Sequence, residues 1–142
     1  MVIVDDGSEI SAVSGGDAPV TVYAVDTVIT MPPETTLRAV AEELVNDQIG
    51  LIVIGSPAKV VGVISERDVV RAVAEALDPA ATPVGDVAST KIVWCDQSAT
   101  VGEVAELMME QYVRHVLLEK DGRLVGIVSA RDLLGAYMFS LE

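Results

Sequence analysis

Cysteine and histidine are almost absent from this chain of 142 residues, which has one of each, Cys95 and His115. A single cysteine excludes an internal disulfide, and the pair together falls short of the usual zinc sites, which use several such residues. We interpret Cys95 as a buried strand residue, the common environment of a free cysteine. The sequence therefore predicts no metal site and no required cofactor.

Basic residues are also scarce, since nine Lys and Arg residues stand against 22 Asp and Glu residues and give a formal net charge of −13. A nucleic-acid-binding surface needs a basic stripe, so we expect no nucleic-acid partner. No apolar run approaches the roughly 18 residues of a membrane-spanning helix, and the N-terminus lacks a signal-peptide pattern. We therefore expect a cytoplasmic protein without a membrane partner.

Familiar catalytic signatures are missing as well. The chain has no H-E-x-x-H, no G-x-S-x-G and no P-loop pattern. We therefore predict that the protein is not an enzyme. Aromatic residues make up only 4% of the chain, whereas hydrophobic residues of all kinds make up 51%. An interior built mainly from Val, Ala, Leu and Ile suits an α/β fold.

The chain repeats itself at an offset of 64 residues, most visibly in GVISERD at 62–68 and GIVSARD at 126–132. The alignment of the two copies needs no gap from residue 18 to residue 72 of the first. Identical pairs include Pro19 and Pro83, Val20 and Val84, Thr36 and Thr100, Ser65 and Ser129, and Asp68 and Asp132. Chance does not easily hold one register for so long, so the chain consists of two copies of one unit.

Each copy has the same predicted order of elements, β-α-β-β-α. The first strand is TVIT at 27–30 or KIVW at 91–94, and a helix with apolar residues at helical spacing follows it. Thr100 and Glu103 form a capping-box pattern at the start of this helix in copy two. Two apolar strands come next. The repeated phrase then begins the last helix, which in copy one carries Val69, Ala72, Val73, Ala76 and Leu77.

Turn-forming and polar stretches divide the chain. We predict a flexible N-terminal lead at 1–17, a first repeat at 18–78, a linker at 79–82 and a second repeat at 83–142. A three-stranded sheet that is covered by helices on one face leaves its other face exposed to solvent. We therefore expect the two repeats to pack sheet to sheet with pseudo-two-fold symmetry.

The strand–strand–helix stretch YVRHVLLEKDGRLVGIVSARDLL, at 112–134, resembles a CBS domain, and the tandem resembles a CBS pair, or Bateman module. The likeness covers residues 18–140. It implies a regulatory ligand sensor that binds an adenosyl ligand in the clefts between repeats and signals to a protein partner in trans. AMP, ADP and ATP are the implied ligands, with NAD and S-adenosylmethionine as secondary candidates. Leu117 and Val53 stand where the family commonly has a proline.

The resemblance also implies two candidate nucleotide sites, in which the motif aspartate holds the ribose and the first strand of the opposite repeat lies against the adenine. Site one comprises Ser65, Asp68, Ile92, Val93, Arg114, His115 and Arg131. Site two comprises Val28, Ile29, Arg67, Ser129 and Asp132. The positions equivalent to Arg114 and His115 in copy one carry no charge, so site two lacks the basic pair and is predicted to be the weaker site.

Plainer readings of the same residues remain open. Ser65 and Ser129 are good helix N-caps, and an aspartate three residues later stabilises a helix start without any ligand. Arg114 could be a solvated charge and His115 a structural residue. The alternative function is therefore a ligand-free dimerisation or scaffold module. A homodimer is expected in either case, because the last helices carry outward apolar residues, namely Ala72, Val73, Ala76, Leu77, Leu134, Tyr137, Met138 and Leu141.

Overall fold

The computed structural model describes residues 15–25, 28–47 and 49–140. Within these residues the chain forms two three-stranded sheets and four α-helices. The predicted α/β class and the tandem β-α-β-β-α order are confirmed. Residues 1–14 of the predicted lead at 1–17 and the dimer residue Leu141 lie outside the described residues.

The first sheet contains β1 (Thr30–Met31), β2 (Leu51–Ser56) and β3 (Lys59–Ser65), in that spatial order. Strand β1 is parallel to β2, and β2 is antiparallel to β3. The two helices of this repeat are α1 (Leu37–Asp47) and α2 (Glu66–Ala74).

The second sheet contains β4 (Trp94–Asp96), β5 (His115–Lys120) and β6 (Arg123–Ser129), again in that order. Its helices are α3 (Val101–Gln111) and α4 (Ala130–Ser140). Cys95 lies in β4, as predicted, but it is half-buried rather than fully buried.

The first strand of each repeat begins later than the apolar patterns at 27–30 and 91–94 predict. Ahead of β1, the Val53 N–H donates to the Ile29 carbonyl at 3.1 Å, and ahead of β4 the Leu117 N–H donates to the Val93 carbonyl at 2.9 Å. Ile29 and Val93 are thus hydrogen-bonded to the neighbouring strand of their sheet. The regular strand, however, starts only at the last residue of each predicted segment, Thr30 or Trp94.

By spatial proximity the chain divides into two compact units. The first unit contains the described residues of Thr27–Ile92 and of Glu119–Val125. The second contains the described residues of Met1–Asp26, of Val93–Leu118 and of Gly126–Glu142. The segment that precedes the first strand of each repeat therefore groups with the other repeat.

Both of these preceding segments contribute to the core and to the sheet of their unit. Val20 and Val84, at equivalent positions of the two repeats, are fully buried. Val25 and Ile127 exchange two backbone hydrogen bonds of 2.8 and 2.9 Å, and Val63 and Ser89 exchange a pair of the same lengths. Each sheet thus gains an antiparallel bridge beside its last strand.

The predicted linker also has a fixed role at the start of α1. The Leu37 N–H donates to the Thr82 carbonyl at 2.8 Å, and the Arg38 N–H donates to the Pro79 carbonyl at 3.0 Å. The linker carbonyls therefore satisfy two of the amide groups that a helix N-terminus leaves without partners. Residues Gly15–Asp17, predicted to be flexible, form a 3-10 turn packed against α3 and α4.

Helical spacing correctly identified most of each buried face, but Val45 and Met109, which the same spacing places there, are 75% and 79% exposed. Leu37, Val40 and Leu44 of α1 are buried, as are Val101, Val104 and Met108 of α3. The core of the first unit consists of Leu37, Val40, Leu44, Ile52, Ile54, Ile64, Ala72 and Val84. Ala72, predicted to face outward, instead packs inside this core at 2% exposure.

Helix α2 is shorter than predicted, because Ala76 and Leu77 form its C-terminal turn instead of continuing it. Ala76 has a φ of 62°, in the left-handed region. Its N–H donates to the Val73 carbonyl at 3.0 Å, and the Leu77 N–H donates to the Ala72 carbonyl at 3.1 Å. This is the Schellman pattern, which usually places glycine at the left-handed position.

Ala76→Gly is expected to stabilise the protein by about 0.5–1 kcal/mol. Relief of the left-handed strain exceeds the entropy that a glycine adds to the unfolded chain. The matched control is Ala74→Gly, at the exposed last residue of the helix, where the backbone is helical and glycine should cost up to about 0.5–1 kcal/mol. Urea denaturation measures both changes, and equal destabilisation by both would contradict this account.

Candidate functional site

The first repeated Ser–Asp pair forms a capping box at the start of α2. The Ser65 hydroxyl oxygen accepts from the Asp68 N–H at 3.3 Å, and Asp68 Oδ2 accepts from the Ser65 N–H at 2.9 Å and from the Ser65 hydroxyl at 3.0 Å. Asp68 Oδ1 accepts from Arg71 Nη1 at 3.1 Å. Both carboxylate oxygens of Asp68 are therefore bound within its own helix and cap.

The second pair has the same cap at the start of α4. Asp132 Oδ2 accepts from the Ser129 N–H at 2.8 Å, and the Ser129 hydroxyl accepts from the Asp132 N–H at 3.1 Å. No residue of the described chain donates a hydrogen bond to Asp132 Oδ1. No buried side-chain oxygen in that part of the chain lacks a partner, so Asp132 Oδ1 is accessible to solvent. The two caps thus differ in one oxygen atom.

Arg71 causes this difference, and sequence reasoning did not single it out. It lies one turn after Asp68, where i and i+3 side chains meet on a helix. Gly135 occupies the equivalent place after Asp132 and has no side chain to reach back. A comparison of the two repeats at unlike positions, rather than only at shared ones, could have identified Arg71.

The basic pair lies close to the second cap. The Arg114 carbonyl accepts from the Ala130 N–H at 2.8 Å, which connects the residue before β5 to the first residue of α4. His115 is half-buried, and burial is the main cause that lowers its pKa below the ordinary value. The negative charge of Asp132 raises the His115 pKa and the positive charge of Arg114 lowers it further. His115 is therefore neutral at pH 7, and Arg114 is the cation of the pair.

The second unit accordingly brings together Arg114, His115, Ser129 and Asp132, which the sequence divided between two predicted sites. Val93 is half-buried in this unit, and Arg131 is exposed in the first turn of α4.

The first unit holds the remaining predicted residues. Ser65 and Asp68 lie together in the cap of α2, and Arg67 is exposed beside them. Val28, Ile29 and Ile92 are half-buried. Ile29 also packs against the hydrophobic core, so part of its surface already has a structural use. The predicted residues of both sites are thus divided between the two units.

The described residues were also searched for metal-binding groups and for membrane-spanning helices. No group of three or more His, Cys, Asp and Glu side chains there could hold a metal ion. None of the helices in the same ranges is long and apolar enough to cross a membrane.

Comparison with known proteins accounts for the repeated pattern. The family model of the CBS domain matches residues 20–75 and again residues 84–138. Hypoxic response protein 1 of Mycobacterium tuberculosis is 34% identical over 100 residues, which cover 69% of this chain and 70% of that protein. An uncharacterised 17.7 kDa protein of Acidianus ambivalens is 31% identical over 118 residues, which cover 81% of this chain and 70% of that one.

Solved structures agree with this likeness. A CBS domain protein from Pyrobaculum aerophilum, complexed with AMP, is 38% identical with a TM-score of 0.67, and the match covers 74% of this chain and 82% of that one. An uncharacterised conserved protein from Pyrococcus horikoshii has a TM-score of 0.78 at 26% identity, with 85% of this chain and 92% of that one covered. The chain therefore belongs to the CBS domain family and carries two CBS repeats.

Proposed function

We propose that this CBS-pair protein is a non-enzymatic regulator that binds an adenosine-containing ligand of the AMP, ADP and ATP class and signals its occupancy to a protein partner in trans. The observation that carries the proposal is the duplicated Ser–Asp cap, whose second copy keeps a carboxylate oxygen open to solvent beside Arg114 and His115. The similar P. aerophilum protein, which binds AMP, supports the choice of ligand.

The chemistry of the second cap suits a nucleotide. A carboxylate oxygen accepts hydrogen bonds from ribose hydroxyl groups, and the N-terminus of α4 favours negative charge. Arg114 supplies a positive charge near this helix start in a protein whose net charge is −13. Half-buried aliphatic residues at 28, 29, 92 and 93 are the proposed contacts for the adenine ring.

Thermal melting with a ligand panel tests the proposed function. AMP, ADP, ATP, NAD and S-adenosylmethionine are compared with UMP, which keeps the ribose and phosphate but changes the base. A ligand present at 100 times its Kd should add about 2.7 kcal/mol to the free energy of unfolding. A shift with adenosine compounds but not with UMP is expected. No shift with any adenosine compound would favour the scaffold module, in which both Ser–Asp pairs act only as caps.

We also propose that the protein is a homodimer formed through the outer faces of α2 and α4. Val73, Leu134 and Met138 are 61%, 63% and 68% exposed. Val73 also lines an apolar groove of about 320 Å³, together with Leu37, Ala41, Val69 and Pro79. Exposed apolar surface of this kind favours burial against a partner. Of the other residues assigned to this face, Ala72 is buried and Ala76 and Leu77 lie beyond α2.

Light scattering at micromolar concentration should give the mass of a dimer. Leu134→Glu combined with Met138→Glu should give the mass of a monomer, because the dimer would bury two added charges on each protomer. Met109→Glu on α3 is the control, since Met109 is 79% exposed and lies on another helix. A monomer mass for the unmodified protein would contradict the proposal.

A further inference from the structure

The two Ser–Asp caps are alike in sequence, but only the second leaves one carboxylate oxygen of its aspartate without a hydrogen bond from the described chain. We propose that a ribose binds to Asp132 more tightly than to Asp68, and that Arg71 competes with the ligand for Asp68. This inference rests on the proposed function and deepens it, because it identifies a residue that distinguishes the two ribose-binding positions.

Asp68 is poorly accessible to a ligand. Its side chain is only 11% exposed, and the guanidinium of Arg71 binds Oδ1, the carboxylate oxygen that takes no part in the cap. Arg71 itself is 59% exposed, so water competes for its ion pair with Asp68 and makes it weak. A ribose that binds Asp68 must therefore displace Arg71, but the barrier is small.

The charged residues beside the two caps also differ. The first turn of α2 carries two carboxylates, Glu66 and Asp68, whereas the first turn of α4 carries only Asp132. Ala130 stands where Glu66 stands in the first repeat. The start of α2 therefore carries one more carboxylate than the start of α4, and the positive charge of Arg71 offsets it only while Arg71 stays at this cap.

Asp132 has neither an arginine one turn later nor a second carboxylate in its first turn. Gly135 replaces Arg71, and a Cβ built on Gly135 would meet no atom within 4 Å beyond its chain neighbours and the backbone of its own helix. The open oxygen of Asp132 also shares its unit with Arg114, the cation proposed for phosphate. The sequence assigned the principal role to Asp68, and the contacts of the two caps favour Asp132 instead.

Calorimetry with AMP and with adenosine separates the two positions in the full chain. Asp132→Asn and Asp68→Asn each block one position, because asparagine keeps an oxygen for the cap but replaces the other oxygen with a donor. We expect Asp132→Asn to weaken binding of both ligands more than Asp68→Asn does. Circular dichroism melting of each variant checks that the caps still support the fold.

The role of Arg71 is then tested by removing the arginine from the first repeat and placing one at the equivalent position, Gly135, of the second. In the Asp132→Asn background, Arg71→Ala should strengthen the binding of both ligands about two- to fivefold, equivalent to about 0.4–1 kcal/mol. In the Asp68→Asn background, Gly135→Arg should weaken the binding of both by a similar factor. The space beside Gly135 accepts the new side chain.

The outcomes are distinct. Weaker binding of AMP, but not of adenosine, after Arg71→Ala would show that Arg71 contacts phosphate and would overturn the inference. A greater loss from Asp68→Asn than from Asp132→Asn would also overturn it, as would binding that is indifferent to both exchanges. If the unmodified protein binds neither AMP nor adenosine, the proposed function fails together with the inference, whereas the other outcomes leave nucleotide binding intact.

Discussion

Arg114→Ala is expected to weaken AMP binding about ten- to a hundredfold while leaving adenosine binding within about twofold. A hydrogen bond to a charged group contributes about 1.5–3 kcal/mol, and each 1.4 kcal/mol changes the affinity tenfold. Adenosine offers no phosphate to Arg114. His115→Ala should cost less than Arg114→Ala, because burial keeps His115 neutral at pH 7.

Isothermal titration calorimetry at low and high salt measures both ligands. Arg123→Ala is the control, since it removes the same charge from an exposed position at the start of β6. AMP affinity of the unmodified protein should fall with ionic strength, and that dependence should be smaller in Arg114→Ala. Equal losses for AMP and adenosine would mean that Arg114 supports the fold of the site rather than contacting phosphate.

Gly62→Val and Gly126→Val are each expected to destabilise the protein by about 1–3 kcal/mol, the usual cost of overpacking. A Cβ on Gly62 would lie 3.1 Å from the Ser89 carbonyl oxygen and 3.2 Å from the Ala88 Cβ. A Cβ on Gly126 would lie 3.1 Å from the Val25 carbonyl oxygen. The branched methyl groups of valine would push further against chain segments that are hydrogen-bonded in place.

Denaturation of both variants measures the effect, with Gly135→Val as the control. Gly135 is also a glycine within a regular element, but open space surrounds it, so valine there should change the free energy of unfolding by no more than about 0.5 kcal/mol. If Gly62→Val and Gly126→Val were as stable as the unmodified protein, the close approach of the preceding segments would not constrain these strands.

Local rules and the 64-residue offset predicted most of the fold. Apolar spacing identified the buried face of α1, and the Thr100–Glu103 pattern predicted a capping box that α3 has. The turn between β5 and β6 follows the same logic, because Asp121 and Gly122 both have positive φ angles, which this pair of residues favours in a tight hairpin.

What the sequence missed depends on contacts between distant residues or on one unusual backbone angle. Periodicity continued α2 to Leu77, because nothing in an alanine signals the left-handed turn at Ala76. Alignment of the two repeats draws attention to identical residues. It therefore singled out Asp68 and Asp132 but not Arg71 and Gly135, which differ at equivalent positions. The bridges from Val25 to Ile127 and from Val63 to Ser89 are likewise invisible to any local pattern.

The exchange of preceding segments means that neither copy in the sequence is a self-sufficient folding unit. The first sheet is extended by Ser89, which follows the whole first repeat in the sequence, and Val84 is buried in the same unit. The second sheet is extended by Val25, which precedes the first strand of the first repeat, and Val20 is buried in that unit. Each compact unit therefore contains chain from both sequence repeats. Loss of order in one half of the polypeptide removes a strand partner from the other, so the two halves are expected to melt as one cooperative transition.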